Sequence, residues 1–351
     1  MQLKDLLQLA VEKRASDLHL VVGVPPIIRV DGELLPVPGE RILTPEAVEG
    51  LLKTVMTAEQ LERLSVNREL DFSLHFSESA RFRVNAYTQK RTWAGAFRTI
   101  PLEIPTIDSL NLPSIMHTFT AMRQGFILIT GPTGHGKSTT LAAILNEINS
   151  IRACHIVTIE DPIEFVFKPN QSIISQREMG LDTHSWSVAL RSTLREDPDV
   201  VLVGEMRDYE TIAAALTIAE TGHLVFATLH TNSAAQTVDR VVDVFPEEQQ
   251  DQVKLQLSNV LEAVVSQRLI PALETGRIVA SEIMLSTTAI KTAIREGKTH
   301  QIDSVIQTSS EAGMNTLESS LAELVLQGKV GLDTAKAYAL RPEQLTRLIR
   351  K

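Results

Sequence analysis

"FILITGPTGHGKSTTLAAILNEI", residues 126–148, sets the fold of this chain. Phe126 to Thr130 is an apolar run that reads as a buried strand, and Ser138 to Ile148 carries apolar residues at helical spacing. Between them, Gly131-Pro132-Thr133-Gly134-His135-Gly136-Lys137-Ser138 fits the phosphate-loop pattern G-x-x-x-x-G-K-[ST]. Glycine lets backbone N–H groups turn toward one point at little steric cost. That point lies at a helix N-terminus, where unpaired donors and the helix dipole favour an anion. Lys137 is expected to reach the β- and γ-phosphates and the Ser138 hydroxyl to hold Mg²⁺. Thr133, Gly134, His135, Gly136 and Thr139 complete the expected nucleotide-contacting stretch. The loop points to a nucleoside triphosphate without saying what the energy drives.

Working outward, strands and helices alternate from about residue 123. "GFILIT", "HIVTIE", "DVVLVG" and "HLVFATLH" are near-continuous apolar runs, as expected of parallel strands covered on both faces, so the fold class is α/β. From about residue 287 the pattern is mostly helical. Residues 1–98 read as a smaller α+β domain. There "MQLKDLLQLAVEKR" places Leu3, Leu6, Leu7, Ala10 and Val11 on one helical face, and Asp31-Gly32 signals a hairpin turn. Thr44-Pro45 opens one helix and the Thr57–Gln60 capping box another. "RFRVNAYTQ" and "WAGAFRTI" read as a strand pair. Three prolines, at 101, 105 and 113, place the linker at 99–122, which leaves 123–351 as the second domain.

Composition narrows the class. The 351 residues suggest two domains, and 43% hydrophobic residues supply a packed core. The net charge of -9 weighs against non-specific nucleic-acid binding, and so against a DNA-translocating motor. Cys154 is the only cysteine, which excludes an internal disulfide and a tetracysteine zinc site, so Mg²⁺ is the one metal expected. No stretch approaches a membrane span, and the N-terminus lacks a signal peptide's apolar region; a cytoplasmic protein is expected.

Ligands of open α/β sheets bind beyond the carboxyl ends of strands, so the polar residues there matter. "HIVTIE" runs into Glu160-Asp161-Pro162-Ile163-Glu164; "DVVLVG" is followed by Glu205, with Gly204 where an aspartate is usual; "HLVFATLH" begins at His223 and ends at His230. Glu164 or Glu205 has the chemistry to orient an attacking water. Lys137 supplies positive charge, with Arg195 and Arg207 near in sequence. In the N-terminal domain Arg81 and Arg83 share one strand face, and Arg98 lies on the next strand. These three are either a solvated face or an arginine-finger surface.

"GPTGHGKSTT", "TIEDPIEF", "LREDPDVVLVGEMRD" and "AETGHLVFATLHTNSA" resemble the Walker A, Asp box, atypical Walker B and His box of the secretion-type hexameric ATPases. Within them "ASDLHL", "PPIIRVDGEL", "RFRVNAY", "FRTIP", "QRE", "TVDRVVDVFP" and "AIKTAIREGK" are similar to the type IV pilus retraction ATPases over nearly the whole chain. The resemblance implies a RecA-like ATPase domain behind a PAS-like N-terminal domain. It implies a homohexamer with ATP and Mg²⁺ between protomers, at the cytoplasmic face of the inner membrane. Pulling there on the pilus platform protein, alongside other pilus ATPases, would power twitching motility. By position Glu164 becomes the water-orienting base and Glu205 the Walker B glutamate, holding Mg²⁺ through water. His223 and His230 become the His-box pair, Glu160 and Asp161 the Asp box, and Arg81, Arg83 and Arg98 the arginines that approach the γ-phosphate.

Two departures stand out. His135 replaces a serine, and its side chain is expected to point away from the phosphates. "AIKTAIRE" replaces "AIRNLIRE", with Ala289, Ile290, Ala293 and Ile294 keeping an apolar face. The alternatives are an accessory retraction ATPase and an assembly or type II secretion ATPase. Those last usually carry a tetracysteine insert that this chain lacks. A rival of another class is a nucleotide-gated regulatory switch, against which intact acids at Glu164 and Glu205 argue.

Overall fold

A computed structural model describes residues 2–13, 15–30, 32–77, 80–100, 103–274 and 276–350, and separates them into two units. The first comprises Met1–Glu103 with the short segment Glu164–Val166, and the second comprises Ile104–Ile163 and Phe167–Lys351. Among the described residues no helix is long and apolar enough to cross a membrane.

In the first unit, α1 (Leu3–Glu12) buries Leu3, Leu6, Leu7 and Ala10, the i, i+3, i+4, i+7 stripe of a helix lying on a core. Val11 is only half-buried. Then follow β1 (Asp17–Leu20), β2 (Ile27–Val30) and β3 (Glu33–Pro36), with Val30 opposite Glu33 across the hairpin. Gly32 has a φ of 90°, a conformation glycine adopts freely, and Asp31 lies outside the described residues. Thr44 caps α2 (Pro45–Lys53) by accepting from Ala47 N at 3.2 Å. The capping box of α3 (Ala58–Asn67) forms, with Gln60 N on Thr57 Oγ1 at 3.2 Å and Thr57 N on Gln60 Oε1 at 2.9 Å. β4 (Glu69–Ser77), not anticipated, pairs with β5 (Ala80–Gln89), and β5 with β6 (Thr92–Ile100). The sheet is antiparallel in the order β3-β2-β1-β6-β5-β4. Strand alternation turns Phe82, Val84 and Phe97 into the core with Leu6, Leu52 and Leu64. Arg81, Arg83 and Arg98 fall on the other face.

The second unit runs α4 (Met116–Ala121), β7 (Gly125–Thr130), α5 (Lys137–Ile151), β8 (His155–Glu160), β9 (Ile173–Glu178), α6 (Trp186–Thr193), β10 (Val200–Val203), α7 (Tyr209–Glu220) and β11 (Leu224–Leu229). It continues with α8 (Ala234–Asp243), α9 (Glu247–Val260), β12 (Leu261–Pro271), β13 (Arg277–Leu285), α10 (Thr288–Arg295), α11 (Ile302–Thr308), α12 (Leu317–Leu326), α13 (Leu332–Tyr338) and α14 (Pro342–Ile349). The sheet order is β13-β12-β7-β11-β10-β8-β9, parallel except for β13. This is the doubly covered α/β architecture expected of a RecA-like ATPase domain. β7, β10 and β11 are buried along their whole length, which is why they read as unbroken apolar runs. β9, β12 and β13 extend the sheet beyond the anticipated strands.

Two boundaries differ from the sequence reading. Thr99 and Ile100 complete β6, and the division between units falls after Glu103 rather than across a 99–122 linker. From Ile104 the chain is already part of the second unit, where Ile107, Leu112, Met116 and Phe119 are buried. Pro101 lies outside the described residues. In α10, Ile290, Ala293 and Ile294 enter the main core, but Ala289 is exposed, because it precedes Ile290 by about 100° around the helix. Helices α12 to α14 close a separate small core on Ile270 and Ala280, with Leu317, Leu321 and Leu345.

Candidate active site

Gly131 follows β7 with a φ of 139°, and a Cβ there would lie 2.3 Å from the backbone oxygen of Gln267, so only glycine fits. Gly134 and Gly136 also have positive φ, 78° and 82°, and Gly136 forms the N-cap of α5. The loop is therefore folded as an anion cradle at a helix N-terminus, with Ser138 and Thr139 in the first turn of α5. Lys137 is 8% exposed; its Nζ donates to the carbonyls of Gly131 at 2.8 Å and Pro132 at 3.0 Å.

The carboxyl ends of β7, β11 and β10 lie side by side in the sheet, and their side chains join. Glu205, beyond β10, accepts from Arg207 Nη2 at 2.7 Å on Oε2 and meets His230 Nε2 at 2.9 Å on Oε1. His230 Nδ1 stands 3.4 Å from Lys137 Nζ and 3.4 Å from Thr133 Oγ1. Through its two ring nitrogens His230 thus links two strand ends to the phosphate loop. The Arg207 guanidinium, foremost, and His230 hold the Glu205 carboxyl below the usual carboxylate range, against the opposing effect of burial. Glu205 is thus an anion at neutral pH.

Gly204, in place of the usual aspartate, also has a steric reason. A Cβ there would stand 3.1 Å from Ile159 O and 3.2 Å from Glu160 Cα, so the end of β8 crowds any side chain at this position. Glu160 is buried and accepts from Thr158 Oγ1 at 2.7 Å and Gln176 Nε2 at 3.3 Å, which ties β8 to β9. Asp161 is exposed, and its charge acts on Arg207.

Other expected residues are not gathered here. His223 precedes β11, so it lies at the opposite end of that strand from His230; its Nδ1 meets Thr221 Oγ1 at 2.9 Å and Ile218 O at 3.1 Å. A parallel strand presents only one end to the phosphate loop, and His223 is at the other. Arg195 is exposed beyond α6. Glu164 is exposed and belongs to the segment grouped with the first unit. In that unit Arg83 and Arg98 are direct cross-strand partners, and Arg81 shares their face.

His135 turns toward β12, where its Nδ1 accepts from Leu269 N at 3.0 Å. Burial, then the charges of Arg268, Arg277 and Lys137, lower its pKa and keep it neutral. Gln267 Nε2 donates to His135 O at 2.7 Å, and Arg277 Nη1 to Gly134 O at 3.2 Å. Gln267, Leu269 and Arg277 were not foreseen. Their one signal is a polar triplet, Ser266-Gln267-Arg268, inside the apolar run of β12.

Comparison with known proteins agrees with this geometry. Over 347 residues the chain is 48% identical to the "Type IV pilus retractation ATPase PilT" of Pseudomonas aeruginosa, covering 98% of this chain and 99% of that one. A "Twitching motility protein" of Neisseria gonorrhoeae is 47% identical over 326 residues, covering 92% and 86%. A crystal structure of the pilus retraction motor PilT with bound ADP superposes with a TM-score of 0.93 at 43% identity, covering 99% of both chains. Residues 2–337 match the family model described as Type II/IV secretion system protein, and the chain belongs to that family.

Proposed function

We propose that this chain is the ATP-hydrolysing subunit of a homohexameric motor that retracts type IV pili. The observation that carries the reading is the connected path Arg207–Glu205–His230–Lys137 across three neighbouring strand ends, on a full-length likeness to retraction ATPases. Such a path lets a change at the phosphate loop be felt at the ends of β10 and β11. The motor works at the cytoplasmic face of the inner membrane on the pilus platform.

The residues present fit a magnesium nucleotide. Side chains at Gly131 or Gly136 would push the loop off β12, which shapes it, and a buried lysine at the loop is linked through His230 to an ionised carboxylate. Ser138 and, through water, Glu205 would hold Mg²⁺, which when bound neutralises charge on the phosphates. Lys137 binds the β- and γ-phosphates. Glu205, with one oxygen on Arg207 and the other on His230, is held in place and keeps lone pairs free to accept from a water. Glu164 remains the candidate for the base that orients the attacking water.

Glu205→Ala and Glu164→Gln are each expected to lower kcat about 10²-fold or more, the scale of a lost acid–base group, with nucleotide affinity nearly unchanged. Steady-state hydrolysis beside equilibrium nucleotide binding checks this. A variant that loses binding yet turns over normally at saturation has been given the wrong role.

The cellular function is tested by deleting the gene and examining piliation and twitching. Hyperpiliated, non-motile cells are expected. Bald cells would place the chain among assembly ATPases, and purified protein that binds ATP without turnover would make it a regulatory switch.

A further inference from the structure

Gln267 lies within β12, 1% exposed, and touches the phosphate loop twice. Its backbone oxygen closes on Gly131, and its side-chain Nε2 donates to His135 O at 2.7 Å. The reverse amide orientation would set two acceptors face to face, so the chemistry requires the nitrogen there. In a trans peptide the C=O and the following N–H point to opposite sides. Holding the His135 carbonyl toward β12 therefore turns the Gly136 N–H to the far, inner side of the loop. Arg277 does the same one peptide earlier: its bond to Gly134 O turns the His135 N–H inward. The ring of His135, tied to Leu269 N, fixes the segment between. β12 itself is anchored on its other side, where Arg268 Nη1 donates to Tyr338 O at 2.9 Å.

We propose that Gln267 is a positioning residue for the nucleotide. With Arg277, its amide holds the peptides of residues 134–136 so that their N–H groups face the β-phosphate of a nucleoside di- or triphosphate. This rests on the nucleotide-binding reading above and names the element that shapes the cradle. Folding alone does not account for a glutamine here. Its Oε1 is buried without a hydrogen-bond partner, which lowers stability, so an apolar side chain of equal length would serve the core better. The donor that Nε2 supplies to the loop is what an apolar residue lacks.

Gln267→Met in the full chain is the test, read by titration with ADP and with ATP and by thermal melting without nucleotide. Dissociation constants for both nucleotides are expected to rise about tenfold, the scale of one hydrogen bond, because the cradle serves the phosphates they share. The melting temperature should stay close to that of the wild type, because loss of the donor to His135 O and removal of the unpaired Oε1 act in opposite directions, and kcat at saturation should stay within about threefold, as for a loss of uniform binding. Gln267→Leu should show the same pattern and covers the case in which the Met variant folds poorly. Wild-type affinity in both variants, or weakened binding only alongside a fall in melting temperature, overturns the proposal. Wild-type protein that binds neither nucleotide overturns the ATPase reading and this inference with it.

Discussion

Lys137→Ala is expected to abolish ATP hydrolysis, with turnover down at least ~10³-fold, while the protein stays folded. The Lys137 ammonium is the one cation that the phosphate loop itself carries, and it is nearly buried. At an effective dielectric near 20, one charge pair 4 Å apart contributes about 4 kcal/mol, which is about 10³ in rate, and Lys137 meets two phosphate groups. Folding is less exposed to the change. The substitution leaves the carbonyls of Gly131 and Pro132 without this donor, at about 1–3 kcal/mol for a buried group, against ~5–15 kcal/mol of typical stability. Hydrolysis assays and a thermal melt on the same preparation check both halves. Activity within a factor of two of wild type would sink the phosphate-loop assignment.

That assignment was legible because every local signal agreed. An unbroken apolar run, a glycine loop and a helical pattern lie within 23 consecutive residues, and each corresponds to β7, the cradle or α5. The caps at Thr44 and Thr57 were legible for the same reason: both partners sit three residues apart. What was not legible depends on contacts remote in sequence. That His230 would meet Glu205 requires β10 and β11 to be neighbours, and no pattern within either strand says so. That a side chain at Gly204 would be crowded depends on the end of β8.

β12 was hidden by its surroundings. It follows α9 directly, with no glycine or proline to mark the change, and its polar triplet interrupts the apolar run. The residues that brace the phosphate loop were lost with it. His223 is a different kind of miss. The direction of β11 already separates it from His230 by a strand length, roughly 20 Å at about 3.3 Å per residue. Pairing the two histidines by motif passed over what the strand geometry implied.

The arginines of the first unit are expected to act in trans, on the nucleotide of a neighbouring subunit. Arg83 and Arg98 stand directly opposite each other on β5 and β6, and like charges in that register destabilise a sheet. Asp17 relieves part of this: its Oδ1 accepts from Arg98 Nε at 3.0 Å, and its Oδ2 lies 3.9 Å from Arg29 Nε. Arg98 nevertheless keeps 68% of its side chain exposed. A sheet face that holds two arginines in register at a cost to stability, with one of them presented to solvent, suits an anion supplied by another molecule. An arginine finger contributes about 10³–10⁵ in turnover in other NTPases, so Arg83→Ala and Arg98→Ala should each bind ATP nearly normally and hydrolyse it poorly. Mixed assemblies separate trans from cis action. Arg83→Ala subunits and Lys137→Ala subunits should each be nearly inactive alone. In a mixed ring some interfaces join an intact phosphate loop to an intact arginine face, and activity is expected to return in part, following the fraction of such interfaces as the mixing ratio is varied. Co-assembled mixtures with no recovery at any ratio would overturn the trans reading and return these arginines to their own subunit.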